Sequence, residues 1–246
     1  MPDKRPTVLL LGGTAEAVAL AHALHDEFRI IYSLAGATDA PSLPQGDVRR
    51  GGFGGWEGLA AHLREDRVDM LIDATHPFAS AISANARRAC DMEGVPRLML
   101  IRPMWERQPG DDWREVHTPE EAADLAEALA RPLLLTTGVK TLDAYRSLTG
   151  PIYVRLLKPP ARPLPENFTL LAHGPLSPQD ELAFFKAHAI AGLVSKASGG
   201  EKGYGKIAAA RALGIPVVML RRPAPEPGEH AATVAQAVAW ARSQSF

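Results

Sequence analysis

The sequence predicts an α/β protein of two doubly wound domains with mostly parallel sheets and a cleft between them. Three observations predict it. Short apolar runs without polar alternation recur along the chain, with helical patterns between them. Strands that are apolar on both faces belong to parallel sheets covered by helices on both sides. Glycine-rich segments stand directly after several of these runs, where open α/β sheets bind ligands. The chain also repeats itself. Gly94-Val95-Pro96-Arg97-Leu98-Met99-Leu100-Ile101-Arg102-Pro103 aligns without gaps on Gly214-Ile215-Pro216-Val217-Val218-Met219-Leu220-Arg221-Arg222-Pro223, and an Ala/Arg-rich helical pattern precedes each copy. An ungapped match of this kind favours two related domains over chance. In its register His76 is equivalent to Lys196.

The elements follow in order. Thr7–Leu11 is an aliphatic strand that ends at Gly12-Gly13. Ala15–Glu27 has helical spacing, with Val18, Leu20, Ala21 and Leu24 on one face. Phe28–Leu34 is a second strand, and Gly51–Gly55 is a loop leading into a helix from Trp56. Val68–Ile72 is a buried strand closed by Asp73-Ala74-Thr75-His76-Pro77. A helix over 78–93 and a strand over Arg97–Ile101 complete the first half. The polar, turn-prone segment Arg107–Asp112 marks the boundary, which gives domains 1–107 and 113–246. In the second half the strands fall at Leu133–Thr136, Ile152–Leu156, Phe168–Ala172, Gly192–Ser195 and Val217–Leu220. Its helices fall at Pro119–Ala130, Leu142–Leu148, Pro178–Ala189, Lys206–Leu213 and Ala231–Arg242.

Composition excludes several classes. With 246 residues, 46% of them hydrophobic and 22% charged, the chain is globular. A net charge of −1 gives no reason to expect nucleic acid or an anionic membrane as partner. The single cysteine, Cys90, cannot form an internal disulfide and reads as a buried, inert thiol on a helix. The apolar run near the N-terminus is a strand rather than a signal peptide, and the expectation is a cytoplasmic protein.

The candidate site residues stand at strand ends. Gly12, Gly13, Thr14 and Glu16 join the first strand to a helix. Glycines there let the backbone approach a pyrophosphate, and the helix N-terminus supplies N–H groups and a positive dipole. The full Gly-x-Gly-x-x-Gly pattern is absent, so a plain tight turn competes with a phosphate loop. Ser33, with Gly36 beyond it, stands where many NAD sites place a carboxylate for the ribose. A serine admits a 2′-phosphate, which Arg49 could meet unless that arginine is merely a solvated surface cation. Gly51, Gly52, Phe53 and Gly54 form a loop that suits close approach to a ligand. Asp73, Thr75, His76 and Pro77 close a buried strand at the sheet edge.

In the second half, Thr137 and Gly138 end a strand. Lys196, Ser198, Gly199, Gly200 and Lys206 belong to a basic, glycine-rich segment whose composition is that of an anion site. Arg155 follows another strand; as with Arg49, a solvated basic face is the competing reading. Cys/His clusters with metal-ligand spacing are absent, so no metal is expected.

Together these residues resemble the precorrin-6A reductase family of cobalamin biosynthesis. The resemblance runs along nearly the whole chain. It rests on Leu-Gly-Gly-Thr-Ala-Glu-Ala (11–17), Ser-Leu-Ala-Gly (33–36), Gly-Gly-Phe-Gly-Gly (51–55), Asp-Ala-Thr-His-Pro-Phe-Ala (73–79), Arg-Pro-x-Trp (102–105), Lys-x-Ser-Gly-Gly (196–200) and Ile-Pro-Val-Val-Met-Leu-x-Arg-Pro (215–223). Ala37 departs from the arginine that members often carry there, which leaves the phosphate contact to Arg49.

The resemblance implies two Rossmann-like domains and reduction of precorrin-6A, a polycarboxylate tetrapyrrole, by NADPH. Hydride would pass to C19 of the macrocycle and a proton to C18. The residues from Gly12 to Pro77 named above would hold the cofactor. Thr137, Gly138, Arg155, Lys196, Ser198, Gly199, Gly200 and Lys206 would hold substrate carboxylates. His76 and His173 are the candidate proton donors. Neighbouring enzymes of the cobalamin pathway would be natural partners. The competing readings are a reductase of the cobalt-containing substrate and a non-catalytic NAD(P)-binding sensor. A short-chain dehydrogenase is disfavoured, because Tyr145 is followed by Thr149 where a Tyr-x-x-x-Lys pair needs lysine.

Overall fold

A computed structural model describes residues 5–35, 46–157 and 159–245. Gly36 and Ala37 lie outside the described residues. The chain divides into two compact units, Met1–Arg102 with Ala224–Phe246, and Pro103–Pro223.

The first unit begins β1(Thr7–Leu11), α1(Ala15–Leu24), β2(Arg29–Leu34), β3(Asp47–Arg50), α2(Trp56–Glu65), β4(Met70–Asp73), α3(Ser80–Glu93) and β5(Arg97–Leu100). The second unit is β6(Trp113–Val116), α4(Pro119–Glu127), β7(Leu133–Thr136), a 3-10 turn at Val139–Tyr145, β8(Ile152–Arg155), β9(Phe168–Leu171), α5(Pro178–Ala187), β10(Gly192–Lys196), α6(Gly205–Ala212) and β11(Val217–Leu220). The chain then returns to the first unit as β12(Glu229–Ala231) and α7(Val234–Ser243). Side-chain caps start the helices where the sequence supplies them: Thr14, Thr118, Ser177 and Thr233 each accept from an amide of the first turn.

Every strand pair is parallel. The first sheet runs β3-β2-β1-β4-β5-β12, so the strand order reverses between β1 and β4, as in a Rossmann sheet. The second runs β9-β8-β7-β10-β11-β6, the same order with β7 as the founding strand. The units differ in the source of the outer strand. In the second it precedes the founding strand in the chain; in the first it comes from the C-terminus.

That difference corrects the sequence division into 1–107 and 113–246. Residues 224–246 belong to the first unit because β12 is hydrogen-bonded to β5, with Glu229 opposite Leu98 and Ala231 opposite Leu100. Helix α7 then buries Ala237 and Ala241 in one cluster with Leu20, Leu24 and Tyr32. Arg242 pairs with Glu27 at 2.6 Å. The expected helix over Leu142–Leu148 is instead the 3-10 turn, where the Thr141 hydroxyl donates to the carbonyls of Thr137 and Gly138 and tightens the chain.

The proposed equivalence of His76 and Lys196 shifts by two residues. The repeated segments do occupy β5 and β11. Leu71 lies opposite Arg97, whereas Leu193 lies opposite Val217. Hence Asp73 matches Ser195, Ala74 matches Lys196, and His76 matches Ser198. The gapless register holds only from the helix end onward, because β5 begins 24 residues after Asp73 and β11 begins 22 residues after Ser195.

Among the described residues no helix is long and apolar enough to cross a membrane. Ala237 is fully buried, so Ala237→Asp should place a carboxylate in the first unit's core and cost about 3 kcal/mol or more in urea unfolding. A change below about 0.5 kcal/mol would show that the C-terminal segment is peripheral to that core.

Candidate functional site

The carboxyl edge of the first sheet gathers most of the cofactor residues named from sequence. Leu11 is level with Ser33 on one side and Asp73 on the other, and Ser33 is level with Arg49. The turn after β1 is packed on Tyr32. A Cβ on Gly12 would stand 2.3 Å from the tyrosine ring, so only glycine fits. Gly13 has φ 112° and donates its N–H to the Tyr32 hydroxyl at 3.2 Å. The Thr14 hydroxyl donates to the Ala74 carbonyl at 2.8 Å and accepts from Ala17 N–H. One side chain thus caps α1 and ties its start to the end of β4.

Asp73 is 2% exposed. Its Oδ1 accepts from both the amide and the hydroxyl of Thr75, at 3.0 and 2.7 Å. Its Oδ2 is buried and meets no donor among the described residues. A buried carboxylate oxygen without a donor is unfavourable, so this atom suits an N–H or O–H brought by a ligand. Both threonine hydroxyls give their protons to protein oxygens, which leaves them acceptors towards anything bound beside them. Thr14, Glu16, Thr75 and Pro77 line one small pocket together with Leu100 and Arg102. Arg102 pairs with Glu16 at 3.0 Å, offsetting a carboxylate that would otherwise repel an anion at the α1 N-terminus. His76 is exposed, and its Nδ1 accepts from Phe78 N–H at 3.2 Å, which puts the proton of a neutral ring on Nε2.

Arg49 does more than face solvent. It donates to the carbonyls of Gly51 and Gly52, both at 2.6 Å, and its guanidinium carbon lies 3.7 Å from the Phe53 ring centre. Phe53 in turn packs against His62, and burial lowers the pKa of that histidine. Arg49 therefore shapes the glycine loop beside Ser33 as well as carrying charge there. Within the loop, Gly51 and Gly54 have positive φ, which explains them. Gly52 has no positive φ, and a Cβ on it would meet no atom within 4 Å. Nothing in the fold of the described residues requires glycine at that position.

In the second unit the structure brings together Thr137, Gly138, Lys196, Ser198, Gly199 and Gly200 at the carboxyl edge of β7 and β10. The Lys196 ammonium lies 3.8 Å from where a Gly138 Cβ would stand. Burial, with Lys140 second, lowers its pKa. Two expected substrate cations are engaged elsewhere. Arg155 is 7% exposed and forms a two-point ion pair with Glu181, at 2.5 and 2.9 Å. Lys206 is 7% exposed, donates to the Gly203 carbonyl at 2.7 Å and lies 5.0 Å from the Trp105 ring centre. The sequence makes both candidate substrate cations; in the structure Glu181 engages Arg155 and the Gly203 carbonyl engages Lys206. His173 bonds through Nδ1 to the Gly174 carbonyl and packs on Phe184, and neither contact belongs to the group around Lys196.

Sequence reasoning gave no role to Tyr32, Arg102, Trp105 or Arg222. The repeated Arg-Pro pair that ends both copies of the internal match was the available signal for the two arginines. Cys90 is free and buried, with its thiol pushed up to about 12 by burial. Among the described residues no group of His, Cys, Asp and Glu could hold a metal ion.

Comparison with known proteins agrees with this architecture. Residues 7–242 match the family model described as precorrin-6x reductase CbiJ/CobK. A precorrin-6A reductase of Rhodococcus erythropolis is 45% identical over 95% of this chain and 96% of its own. One of Mycobacterium tuberculosis is 45% identical over 88% of each chain. A cobalt-precorrin-6A reductase of Salmonella typhimurium is 33% identical over 89% of this chain and 88% of its own. A solved structure, CobK precorrin-6A reductase, superimposes with a TM-score of 0.87 at 35% identity, covering 96% of both chains.

Gly52→Ala separates ligand contact from folding. The variant should keep the wild-type thermal midpoint within about a degree, since no neighbour is displaced, yet weaken binding of a nicotinamide cofactor in a fluorescence titration by roughly tenfold or more if the loop contacts it. Unchanged affinity would remove this loop from the cofactor site.

Proposed function

The chain belongs to the precorrin-6x reductase CbiJ/CobK family, and from that premise we propose that it reduces precorrin-6A to precorrin-6B in cobalamin biosynthesis with NADPH as the hydride donor. The observation that carries the reading is the near full-length match, at 45% identity, to relatives named precorrin-6A reductase. The metal-free substrate is preferred to the cobalt form because relatives named for the former reach 45% identity and those named for the latter 33%.

The residues of the first unit suit the dinucleotide. Gly12, Gly13, Thr14 and the first amides of α1 hold the pyrophosphate, while Arg102 balances Glu16 beside it. Ser33 offers no negative charge to a 2′-phosphate, and Arg49 stands level with it on the next strand. Asp73, Thr75, His76 and Pro77 line the far side of the switch point, where the Asp73 Oδ2 atom awaits a donor. When bound, NADPH supplies the hydride. The protein's work is to orient and to exclude water, since a conjugated macrocycle accepts hydride without a strong acid. His76 is the candidate for protonating the reduced ring from its imidazolium form, which gives up the bond from Phe78 N–H and returns to neutral imidazole as the proton leaves, and water is the alternative.

In the second unit Lys196, Thr137, Gly138, Ser198, Gly199 and Gly200 receive substrate carboxylates. Charge-assisted bonds to carboxylates favour cations and backbone donors of this kind.

Anaerobic turnover of purified precorrin-6A, followed at the NADPH and tetrapyrrole absorption bands, tests the activity. Oxidation of NADPH with precorrin-6A, faster than with its cobalt complex and faster than with NADH, is the expected result; binding of NADPH without oxidation would favour a sensor. Arg49→Ala should reduce kcat/KM for NADPH roughly tenfold to a hundredfold more than for NADH. An equal loss would mean that the arginine only holds its loop.

Lys196→Ala should raise the substrate KM at saturating NADPH and leave cofactor affinity near wild type. The pH dependence has a defined sign. A lysine is cationic below its pKa, and burial lowers that of Lys196; wild-type KM should therefore start to rise at lower pH than for an ordinary lysine, and the Ala variant should lose that rise. Unchanged substrate kinetics in the variant would take Lys196 out of the site.

A further inference from the structure

The segment that follows β10 is held almost entirely by its carbonyl groups. Arg222 donates to the carbonyls of Ala197 and Ser198, each at 2.8 Å, and to that of Pro103 at 3.3 Å. The Trp105 indole N–H donates to the Gly200 carbonyl at 2.8 Å. Lys206 donates to the Gly203 carbonyl and lies over the Trp105 ring. The anchors are packed tightly against the loop. A Cβ on Gly199 would stand 2.2 Å from the Pro103 carbonyl oxygen and 2.3 Å from Arg222 Nη2, and one on Gly203 would stand 3.0 Å from the Trp105 ring. These glycines are thus explained by close approach of the protein's own anchors, not by a ligand.

In a trans peptide the N–H points away from the C=O of the same plane. Fixing the Ser198 and Gly200 carbonyls on the anchor side therefore turns the Gly199 and Glu201 amides to the opposite side. Among the described residues neither amide has an acceptor, whereas the neighbouring Ser198 and Tyr204 amides close onto Lys196 and Glu201 carbonyls. Gly199 and Gly200 both have positive φ, 61° and 75°, a conformation that glycine adopts without strain.

We propose that Arg222 and Trp105, assisted by Lys206, are positioning residues that hold the 197–203 loop by its carbonyls and thereby present its amides, beside Lys196, to a carboxylate of the substrate. The inference rests on the proposed activity and assigns work within its substrate half. It also accounts for the basic residues of this segment without giving each one a ligand. Arg222 and Lys206 act on the loop, and Lys196 acts on the anion.

Trp105→Phe keeps the ring under Lys206 and removes only the N–H bond to Gly200; Arg222→Ala removes both main carbonyl anchors, and Arg222→Lys restores one donor. Steady-state kinetics with precorrin-6A at saturating NADPH, NADPH titration and amide hydrogen exchange of residues 198–204 are measured for each. The expected result is a substrate KM raised about threefold to tenfold in Trp105→Phe and more in Arg222→Ala, with partial rescue in Arg222→Lys. kcat and NADPH affinity should stay within about twofold of wild type, and loop exchange should be faster in the same order. Unchanged KM in Trp105→Phe and Arg222→Ala, a parallel loss of NADPH affinity, or unchanged loop exchange would each overturn the proposal. If Arg222→Ala fails to fold, Trp105→Phe decides it alone. Failure of the wild type to turn over precorrin-6A would count against the activity instead, and hydrogen exchange would still decide whether these side chains hold the loop.

Discussion

The way the chain leaves β1 governs the first unit's ligand edge. Tyr32, 2% exposed, fills the space beneath the turn. A side chain at Gly12 would overlap its ring, and its hydroxyl takes the Gly13 N–H. Burial raises the tyrosine pKa, so the hydroxyl keeps its proton and can both accept from Gly13 and donate onward. With the turn pinned from below, Thr14 is placed to cap α1 and to reach the Ala74 carbonyl on β4. One hydroxyl thus ties the start of α1 to the end of β4, beside the β1–β4 ladder. The ends of β2 and β3 join the same edge through backbone bonds, from Gly12 N–H to Ser33 and from Gly51 N–H to Leu34. A mobile turn here would lose both the helix cap and the alignment of these strand ends.

The parallel sheets were legible because buried parallel strands carry an apolar signal on both faces, and β1, β4, β7, β10 and β11 all do. β3, β6 and β12, which lack that signal, are not legible, although the half-exposed β9 is. β3 is Asp-Val-Arg-Arg with every residue exposed or half-buried, and β12 is Glu-His-Ala. Each lies at the outer end of the first sheet, where one neighbour suffices and burial is slight. Missing β12 hid the return of the chain to the first unit, since without it the last helix reads as one more element of the second. The candidate loops were legible for a different reason: glycine in tight turns and polar residues at strand ends are local features. Which cation faces a ligand is not local, because it depends on acceptors distant in sequence.

Four basic side chains show how that distance decides. Arg49, Arg155, Lys206 and Arg222 follow strands or glycine loops, and the sequence makes the first three candidate anion ligands while giving Arg222 no role. Three of them donate to carbonyls of the loops beside them, and Arg155 meets a buried carboxylate. A guanidinium or ammonium that would otherwise be partly desolvated gains more from a fixed carbonyl or carboxylate than from intermittent solvent. The loops gain order in return. Carbonyl oxygens bound from one side turn the adjoining amides to the other, so a cation that never touches an anion can still define where one binds.

On the proposed reading, one strand order serves two ligands. Leu9 opposes Ile31 and Leu134 opposes Tyr153, so Ser33 and Arg155 occupy matching positions at the end of the second strand of each sheet. In the first unit that position is a small hydroxyl, with Arg49 alongside. In the second it is the Arg155–Glu181 pair, buried, joined by two bonds, and tied further by the Leu176 amide to Glu181. Removing one partner would leave a buried charge without compensation, so the pair is a fixed part of the wall rather than a gate. A dinucleotide that sought the second unit would meet a closed position where its ribose belongs. The founding turn there, Thr137-Gly138, keeps its positive φ of 82° and its open edge towards Lys196. On the proposed reading, the second unit takes an anion without an adenosine behind it, as a carboxylate arm is.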